Sequence, residues 1–228
     1  GWTIGGEVYS DQDAWDTLKL IDATGGCEPI SVGARMSTLV ERPRVSLRTI
    51  TAADLADGTL SAPAMRARSE RINGYRARFR SEAHGWEMVS IDIVQVPTYV
   101  TEDGRTKTAS GDFPLVTRAD QAAELAAYKI FASRELDNIQ IPLKPFAVAY
   151  RLGDCLTLNL PDVGLEAREV IVRGRSVDPA TGIVTITCRT ETAAKHPACL
   201  GLTGDTPPTP TLTAPADVIA APSAGSWT

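Results

Sequence analysis

The sequence predicts an α+β fold that is mainly β, with one long helix and a small strand-helix-strand domain at its start. Three observations support this prediction. The 228 residues include 18 Gly and 15 Pro, spread between short apolar runs, which is typical of a chain with many strands and turns. Several runs alternate apolar and polar residues, the period of a half-buried strand. One longer run, from about residue 118 to 136, has helical spacing instead.

Residues 1–62 are predicted to form the small α+β domain. An opening strand through residues 2–8 leads into a polar cluster at 10–13, which suits the N-terminus of a helix. Ala14, Leu18 and Ile21 follow at helical spacing, and Gly25-Gly26 should end the helix. The chain begins Gly1-Trp2-Thr3-Ile4, without Met, and we expect it to be cut from a longer one.

Residues 27–51 have the pattern of two or three strands. In the last of them Val45, Leu47 and Thr49 would share one face. Residues 51–54 predict a single helical turn that ends near Gly58.

Residues 63–200 are predicted to form a larger, β-rich domain, whose first strand is rich in arginine. Over residues 75–80 arginine alternates with apolar residues, so one face of the strand carries Arg76, Arg78 and Arg80. Strands are predicted to continue from Trp86 to Val100, with a break at Pro97, and a polar turn follows at 102–104.

The long helix is predicted at about 118–136, capped by Thr117 with Asp120 three residues later. Its inner face consists of Ala122, Leu125, Ala126, Ile130 and Ala132. A β-meander should follow, with alternating runs at 139–143 and 156–160 and a hairpin whose strands, 169–177 and 183–189, flank a turn at 178–182. Residues 201–228, rich in Thr and Pro, are predicted to be a linker and the start of another module.

Composition argues against several classes of function. The net charge of −5 is unlike that of a dedicated nucleic-acid binder, and the longest apolar runs fall short of a membrane span. The four cysteines form no C-x-x-C pair, so we predict buried thiols, no metal site and no cofactor.

No residue pattern in the chain predicts catalysis, and we predict no catalytic residue. His84 is not accompanied by a nucleophile motif such as G-x-S-x-G, and His196, next to the linker, is expected at the surface. The acidic residues at 11–16 lack the Gly and the later Glu of a calcium-binding loop, so helix capping explains them better.

The arginine-bearing strand face is the most prominent polar feature and allows two interpretations. It could contact DNA in a channel, although a row of phosphate-pairing groups would hold back sliding DNA. A subunit or domain interface is favoured, because arginine suits ion pairs at interfaces. Two rival functions stay open. One is a carbohydrate-binding module that uses Trp2, Trp15 or Trp86, and the other is a peptidoglycan hydrolase that uses Glu82 or Glu87.

A series of short motifs, in order, resembles the hub region of tail tip attachment proteins of the lambda protein J type, including those of gene-transfer-agent-like particles. WTIGGEV at 2–8 and SDQDAWDTL at 10–18 resemble the family's YTINGVI and SPWDIL, and a glycine-ended helix follows in both. LRTIT at 47–51 with ADL at 53–55 resembles its strand and TLDESDL turn.

The resemblance continues to about residue 200. RINGYRARF at 71–79, with Trp86 further on, is similar to the family's NAVRGTFV strand and its later Trp. DQAAELA at 120–126 is similar to its QAQRLAK helix, LGDCLTL at 152–158 to LQVGDVVTV, and TET at 190–192 to its closing REED. The chain departs from the family at residues 96–99, where only Val-Pro-Thr-Tyr replaces a proline-rich stretch.

The resemblance implies a structural, non-enzymatic component of a virion tail tip, assembled in the bacterial cytoplasm. It implies a homotrimer on the tail axis that docks on the ring of distal tail protein and surrounds the end of the tape measure protein. Such a hub closes the channel until a host receptor is bound through other domains, and DNA then passes through it. In this family the linker leads into fibronectin-like domains, which is the module expected at the end of 201–228.

Overall fold

The computed structural model describes residues 2–7, 11–33 and 35–209, and it confirms the predicted α+β fold with mainly β structure. Two sheets and a small hairpin are joined by helices, and a central helix lies against one of the sheets. The module predicted at the end of the chain falls in residues 210–228, which lie outside the described part of the chain.

Helix α1 (Ala14–Thr24) begins and ends where the sequence predicted. The Asp13 side chain accepts hydrogen bonds from the backbone N–H groups of Trp15 and Asp16, which satisfies two of the first N–H groups of the helix. Gly25 ends the helix, and Gly26 follows with φ +61°. A Cβ at Gly26 would lie 1.9 Å from the indole ring of Trp2, so glycine is also needed for this close contact.

The opening strand was predicted wrongly within residues 2–7, which belong to no sheet; residues 8–10 lie outside the described part of the chain. The segment binds helix α3 (Ala119–Ala132) instead. The Thr3 N–H donates to Oε1 of Gln121 at 3.0 Å, and Nε2 of Gln121 returns a bond to the Thr3 carbonyl at 3.0 Å. A buried glutamine therefore replaces a neighbouring strand as the partner of this backbone.

Three strands follow, as predicted, over residues 27–51. β1 (Cys27–Val32) and β2 (Arg35–Val40) form an antiparallel two-stranded sheet, and β3 (Thr49–Thr51) leads into a single 3₁₀ turn (Ala52–Asp54). The prediction that Val45, Leu47 and Thr49 share one strand face is wrong. Val45 and Leu47 precede β3 in irregular chain and are 85% and 63% exposed.

The larger sheet has the order β3-β9-β10-β11-β8, formed with β8 (Ile139–Leu143), β9 (Cys155–Leu160), β10 (Leu165–Val177) and β11 (Val184–Thr190). All its pairs are antiparallel except β3 with β9. Alternate residues of these strands form the main core. It includes fully buried Ile50, Ile139, Ile141, Leu143, Leu156, Leu158, Val170, Val172 and Ile186.

The second sheet is built on β4 (Gly74–Ser81), which pairs with β5 (Glu87–Ser90), β6 (Val94–Gln95) and, in parallel, β7 (Thr108–Phe113). The strands predicted beyond Pro97 are wrong: α2 (Pro97–Asp103) begins there, because proline suits the first turn of a helix. Gly104, with φ +67°, ends α2.

Helix α3 packs against the inner face of β4. Ala122, Leu125, Ala126 and Ile130 are buried as predicted, whereas Ala132, in the last turn, is only partly buried. The predicted Thr117 cap is wrong, since Arg118 occupies the N-cap without a capping side chain. Two elements escaped the sequence analysis, β7 and the short α4 (Lys195–Cys199).

The division of the chain at residues 62 and 63 stays a prediction. Strand β3 precedes that point, and its partner β9 follows it. Among the described residues, no helix is long and apolar enough to cross a membrane.

Candidate interaction surface and buried charge network

The outer face of the β4 sheet carries the three arginines that the sequence singled out. Ala77 and Phe79 of β4 are buried toward α3, so Arg76, Arg78 and Arg80 point to the opposite, exposed side. We call this side the arginine face. Ser90 and Met88 lie opposite the second and third arginine on β5, and Ser110 and Asp112 lie opposite the first two on β7.

The arginine face has an excess of positive charge. Asp112 approaches Arg78 at 3.5 Å, with both side chains about half exposed, so this pair contributes little to stability. Within the described part of the chain, Arg76 and Arg80 have no ion-pair partner. Alternate residues of a strand are about 6.6 Å apart, so the three guanidinium groups form a regular row. Its role as a subunit interface stays a prediction.

A groove of about 600 Å³ adjoins the row at Arg80. One wall is formed by Thr17 and Leu20 of helix α1 and by Gln12, which precedes the helix. Trp86 stands on the turn between β4 and β5. Gly6, Glu7, Pro114 and Leu115 complete the lining. We call this the Trp86 groove.

The three tryptophans proposed as sugar platforms have different surroundings. Trp2 is half-buried on α3, donates to the Glu124 carboxylate, and meets Tyr128 edge to face at 5.9 Å. Trp15 is 38% exposed and lies under the Lys19 ammonium, outside the groove lining. Trp86, 51% exposed, is the tryptophan that lines the groove.

The residues considered for acid–base chemistry lie near Trp86 without forming a recognisable centre. Glu82 and Glu87 are exposed, and Nδ1 of His84 lies 2.9 Å from the Ser81 hydroxyl, which holds the turn. In the described ranges, no three His, Cys, Asp or Glu side chains are grouped so that they could hold a metal ion.

Sequence analysis missed a buried network of charged residues that fixes the β1–β2 hairpin to the larger sheet. Lys195, 2% exposed, contacts the carboxylates of Glu41 and Glu191, each at 2.8 Å. Glu41 also pairs with Arg189 of β11 at 2.7 Å. At the same, open end of the hairpin, Glu28 of β1 pairs with Arg173 of β10.

The same network continues into the helices through a histidine. His196 was expected at the surface but is 1% exposed, so that prediction is wrong. Its Nε2 lies 3.0 Å from Glu191, and its Nδ1 lies 3.0 Å from the Tyr128 hydroxyl. The fold buries His196 because α4 packs between the end of β11 and α3.

The charges in the network set one another's ionisation. Burial alone would raise the pKa of Glu41, but Lys195 and Arg189 more than offset this and lower it to about 2. Burial raises the pKa of Cys199, next to the network, to about 12, although Lys195 opposes the shift. The thiol is therefore protonated and is a poor nucleophile. The arrangement fits a structural role better than a catalytic one, because its groups are buried and paired with one another.

The chain was compared with known proteins. No protein-family model and no curated protein sequence matches it. Among solved structures it is similar to a chain of the virion of a native gene transfer agent particle, with 17% identity over 83% of this chain and a TM-score of 0.60. It also resembles a 43 kDa tail protein of prophage MuSo2 from Shewanella oneidensis (11% identity, 83% covered, TM-score 0.55).

A tail protein from Neisseria meningitidis MC58 is a third similar structure, with 13% identity over 85% of this chain and a TM-score of 0.52. The chain spans 41%, 56% and 59% of these three structures, respectively. At such low identity the likeness shows a shared fold. The chain therefore has a fold found in two tail proteins, one of them from a prophage, and in a chain of a gene-transfer-agent virion.

Proposed function

We propose that this chain is a structural part of a phage-type tail, and specifically of the central hub at the tail tip. The observation that carries the proposal is the shared fold, which extends over more than four fifths of the chain in three tail or virion proteins. The finer assignment to the hub rests on the ordered motifs that resemble the lambda protein J type.

In this proposal the chain acts by assembly and not by catalysis. It forms a homotrimer on the tail axis, docks on the ring of distal tail protein and surrounds the end of the tape measure protein. A host receptor bound by other domains opens the channel, and DNA passes through without stable contact. The large sheet and the buried charge network support such a role, because they make a rigid body.

The arginine face is the proposed contact between subunits. It is an exposed sheet surface with two arginines that have no ion-pair partner within the described chain, and arginine is enriched at protein interfaces. Acidic groups of a neighbouring subunit would pair with Arg76 and Arg80.

The first test is the mass of the assembly, measured by native mass spectrometry or light scattering on the longer native protein, alone and with a candidate distal tail protein. A trimer that binds the ring is the expected result. A monomer that ignores the ring would contradict the hub assignment.

The second test reverses the charge of Arg76, Arg78 and Arg80 to Glu. Each change lowers the net charge by 2, so the triple variant goes from −5 to −11. A matched control carries the same change at three other exposed arginines, Arg68, Arg105 and Arg151. We expect the first variant to stay folded but fail to form trimers, while the control assembles. Equal assembly of both variants would remove the arginine face from the interface.

A further inference from the structure

The Trp86 groove has the composition of a site for a small hydroxyl-rich molecule. Its volume of about 600 Å³ falls in the range of roughly 300–1,000 Å³ that small-molecule sites occupy. Its lining combines an indole ring, two leucines and a proline with a carboxylate, an amide, a hydroxyl and a guanidinium. Such a mixture can stack on an apolar ring face and also donate and accept hydrogen bonds.

The backbone of Trp86 indicates that this tryptophan is not there for stability. Its φ is +66°, in the left-handed region that Gly or Asn normally occupies, and the preceding Gly85 has the same φ. A bulky residue in this region has a strained backbone. Burial offsets little of that strain, since half of the side chain is exposed. Strain of this kind is concentrated at functional sites, which motivates a search for a ligand here.

Polar groups around the indole ring are available to a ligand. In the described chain, the side chains of Gln12, Thr17 and Arg80 form no hydrogen bond or ion pair with another residue. Glu7 and Arg80 bring one negative and one positive charge to the lining, so the groove as a whole does not select a charged ligand.

We infer that the Trp86 groove binds a neutral pyranose sugar, with the indole of Trp86 as the stacking surface and Arg80 and Gln12 as hydrogen-bonding groups. A pyranose ring offers an apolar C–H face to an aromatic ring and hydroxyl groups at its rim, which matches this lining. The inference does not depend on the hub assignment. It shares Arg80 with the arginine face, so a neighbouring subunit that pairs with Arg80 would compete with the sugar for this residue.

The test is saturation-transfer NMR on the 228-residue chain with methyl glycosides of glucose, galactose, rhamnose and N-acetylglucosamine at millimolar concentration. At least one glycoside should receive saturation, and its affinity should fall at least tenfold in Trp86→Ala. Arg80→Gln should weaken binding several-fold. Trp15→Ala is the matched control, because it removes an exposed tryptophan outside the groove, and it should leave binding unchanged.

A second variant separates binding from folding. Trp86→Gly relieves the left-handed strain, so its thermal midpoint should equal or exceed that of the unmodified chain although binding is lost. If none of the four glycosides binds, or if binding survives in Trp86→Ala, the inference is wrong. If Trp86→Ala instead changes the oligomeric mass of a chain that binds no sugar, the groove belongs to a protein interface and the sugar site is refuted.

Discussion

Replacing Lys195 with Met should strongly destabilise the chain. Lys195 is buried between two carboxylates at 2.8 Å, those of Glu41 and Glu191. The methionine side chain fits a similar volume but carries no charge, so both carboxylates would stay buried without this cation. Removing one partner of a buried ion pair costs about 3–5 kcal/mol. In a chain of this size that corresponds to a fall of roughly 6–20 °C in the thermal midpoint.

The destabilisation caused by Lys195→Met should depend on pH, because Lys195 lowers the pKa of Glu41. The pKa of Glu41 is about 2 in the folded chain and 4.5 ordinarily, a difference that corresponds to about 3 kcal/mol. Because the folded pKa is depressed, this stabilisation is fully present above pH 4.5 and is lost as pH falls toward 2. Without Lys195 the pKa of Glu41 rises, so the variant retains less of this stabilisation. The difference between the two proteins should therefore be largest near neutral pH and shrink below pH 4.5.

Urea unfolding at a series of pH values between 2 and 7, followed by circular dichroism, measures both effects. Lys19→Met is the matched control, because Lys19 also pairs with a carboxylate at 2.9 Å but is half exposed. An exposed pair of this kind contributes at most about 1 kcal/mol. The reasoning would be refuted if both substitutions cost the same, or if the loss at Lys195 did not vary with pH.

Three further predictions concern single sites. Gly26→Ala should cost about 2–4 kcal/mol in thermal unfolding, because its Cβ would lie 1.9 Å from a carbon of the Trp2 indole. The control Gly33→Ala has a similar φ of +64° but no atom within 4 Å of the added Cβ, so it should cost only about 1 kcal/mol. Equal losses would count against the close contact. Asn73→Ala should cost about 2–3 kcal/mol in urea, since it removes one buried and two partly buried hydrogen bonds of 2.7–2.9 Å, and a loss below 0.5 kcal/mol would contradict this. Burial raises the pKa of Cys188 to about 12, so iodoacetamide at pH 8 should modify this thiol only after the chain unfolds. Mass spectrometry measures the labelling, and a native chain in which Cys188 is labelled as fast as Cys27 would contradict the prediction.

Local patterns predicted the strands and helices that local chemistry decides. The Asp13 cap, the alternation of β4 and the strands β8 to β11 each depend on residues a few positions apart, and the structure confirms them. The predicted meander holds only for β9, β10 and β11, because β8 pairs with β11 and not with β9. The wrong predictions have a different cause. Residues 2–7 had the composition of a strand, but their backbone binds Gln121, more than a hundred residues away. No pattern within the segment could indicate that partner.

The candidate site was predictable in part for the same reason. Alternation along β4 placed Arg76, Arg78 and Arg80 on one exposed face, and that arrangement is present. The Trp86 groove requires α1 and the β4–β5 turn to be neighbours, which follows from the tertiary fold alone. A left-handed Trp86 is also invisible in sequence, because tryptophan does not favour that conformation.

The buried charge network also determines what a boundary between residues 62 and 63 would mean. Glu28 and Glu41 precede the boundary, whereas Arg189 and Lys195 follow it. The pairs of Glu41 with Arg189 and Lys195 have little exposure to solvent, whereas Glu28 is about half exposed. The pairing of β3 with β9 crosses the boundary as well, because β3 forms an edge of the larger sheet. A body made only of residues 63–200 would keep two buried cations without these carboxylate partners, and burying an unpaired charge is costly. Strand β3 and the acidic residues of the β1–β2 hairpin therefore contribute to the stability of the larger sheet, so a division at this point would separate groups that stabilise one another.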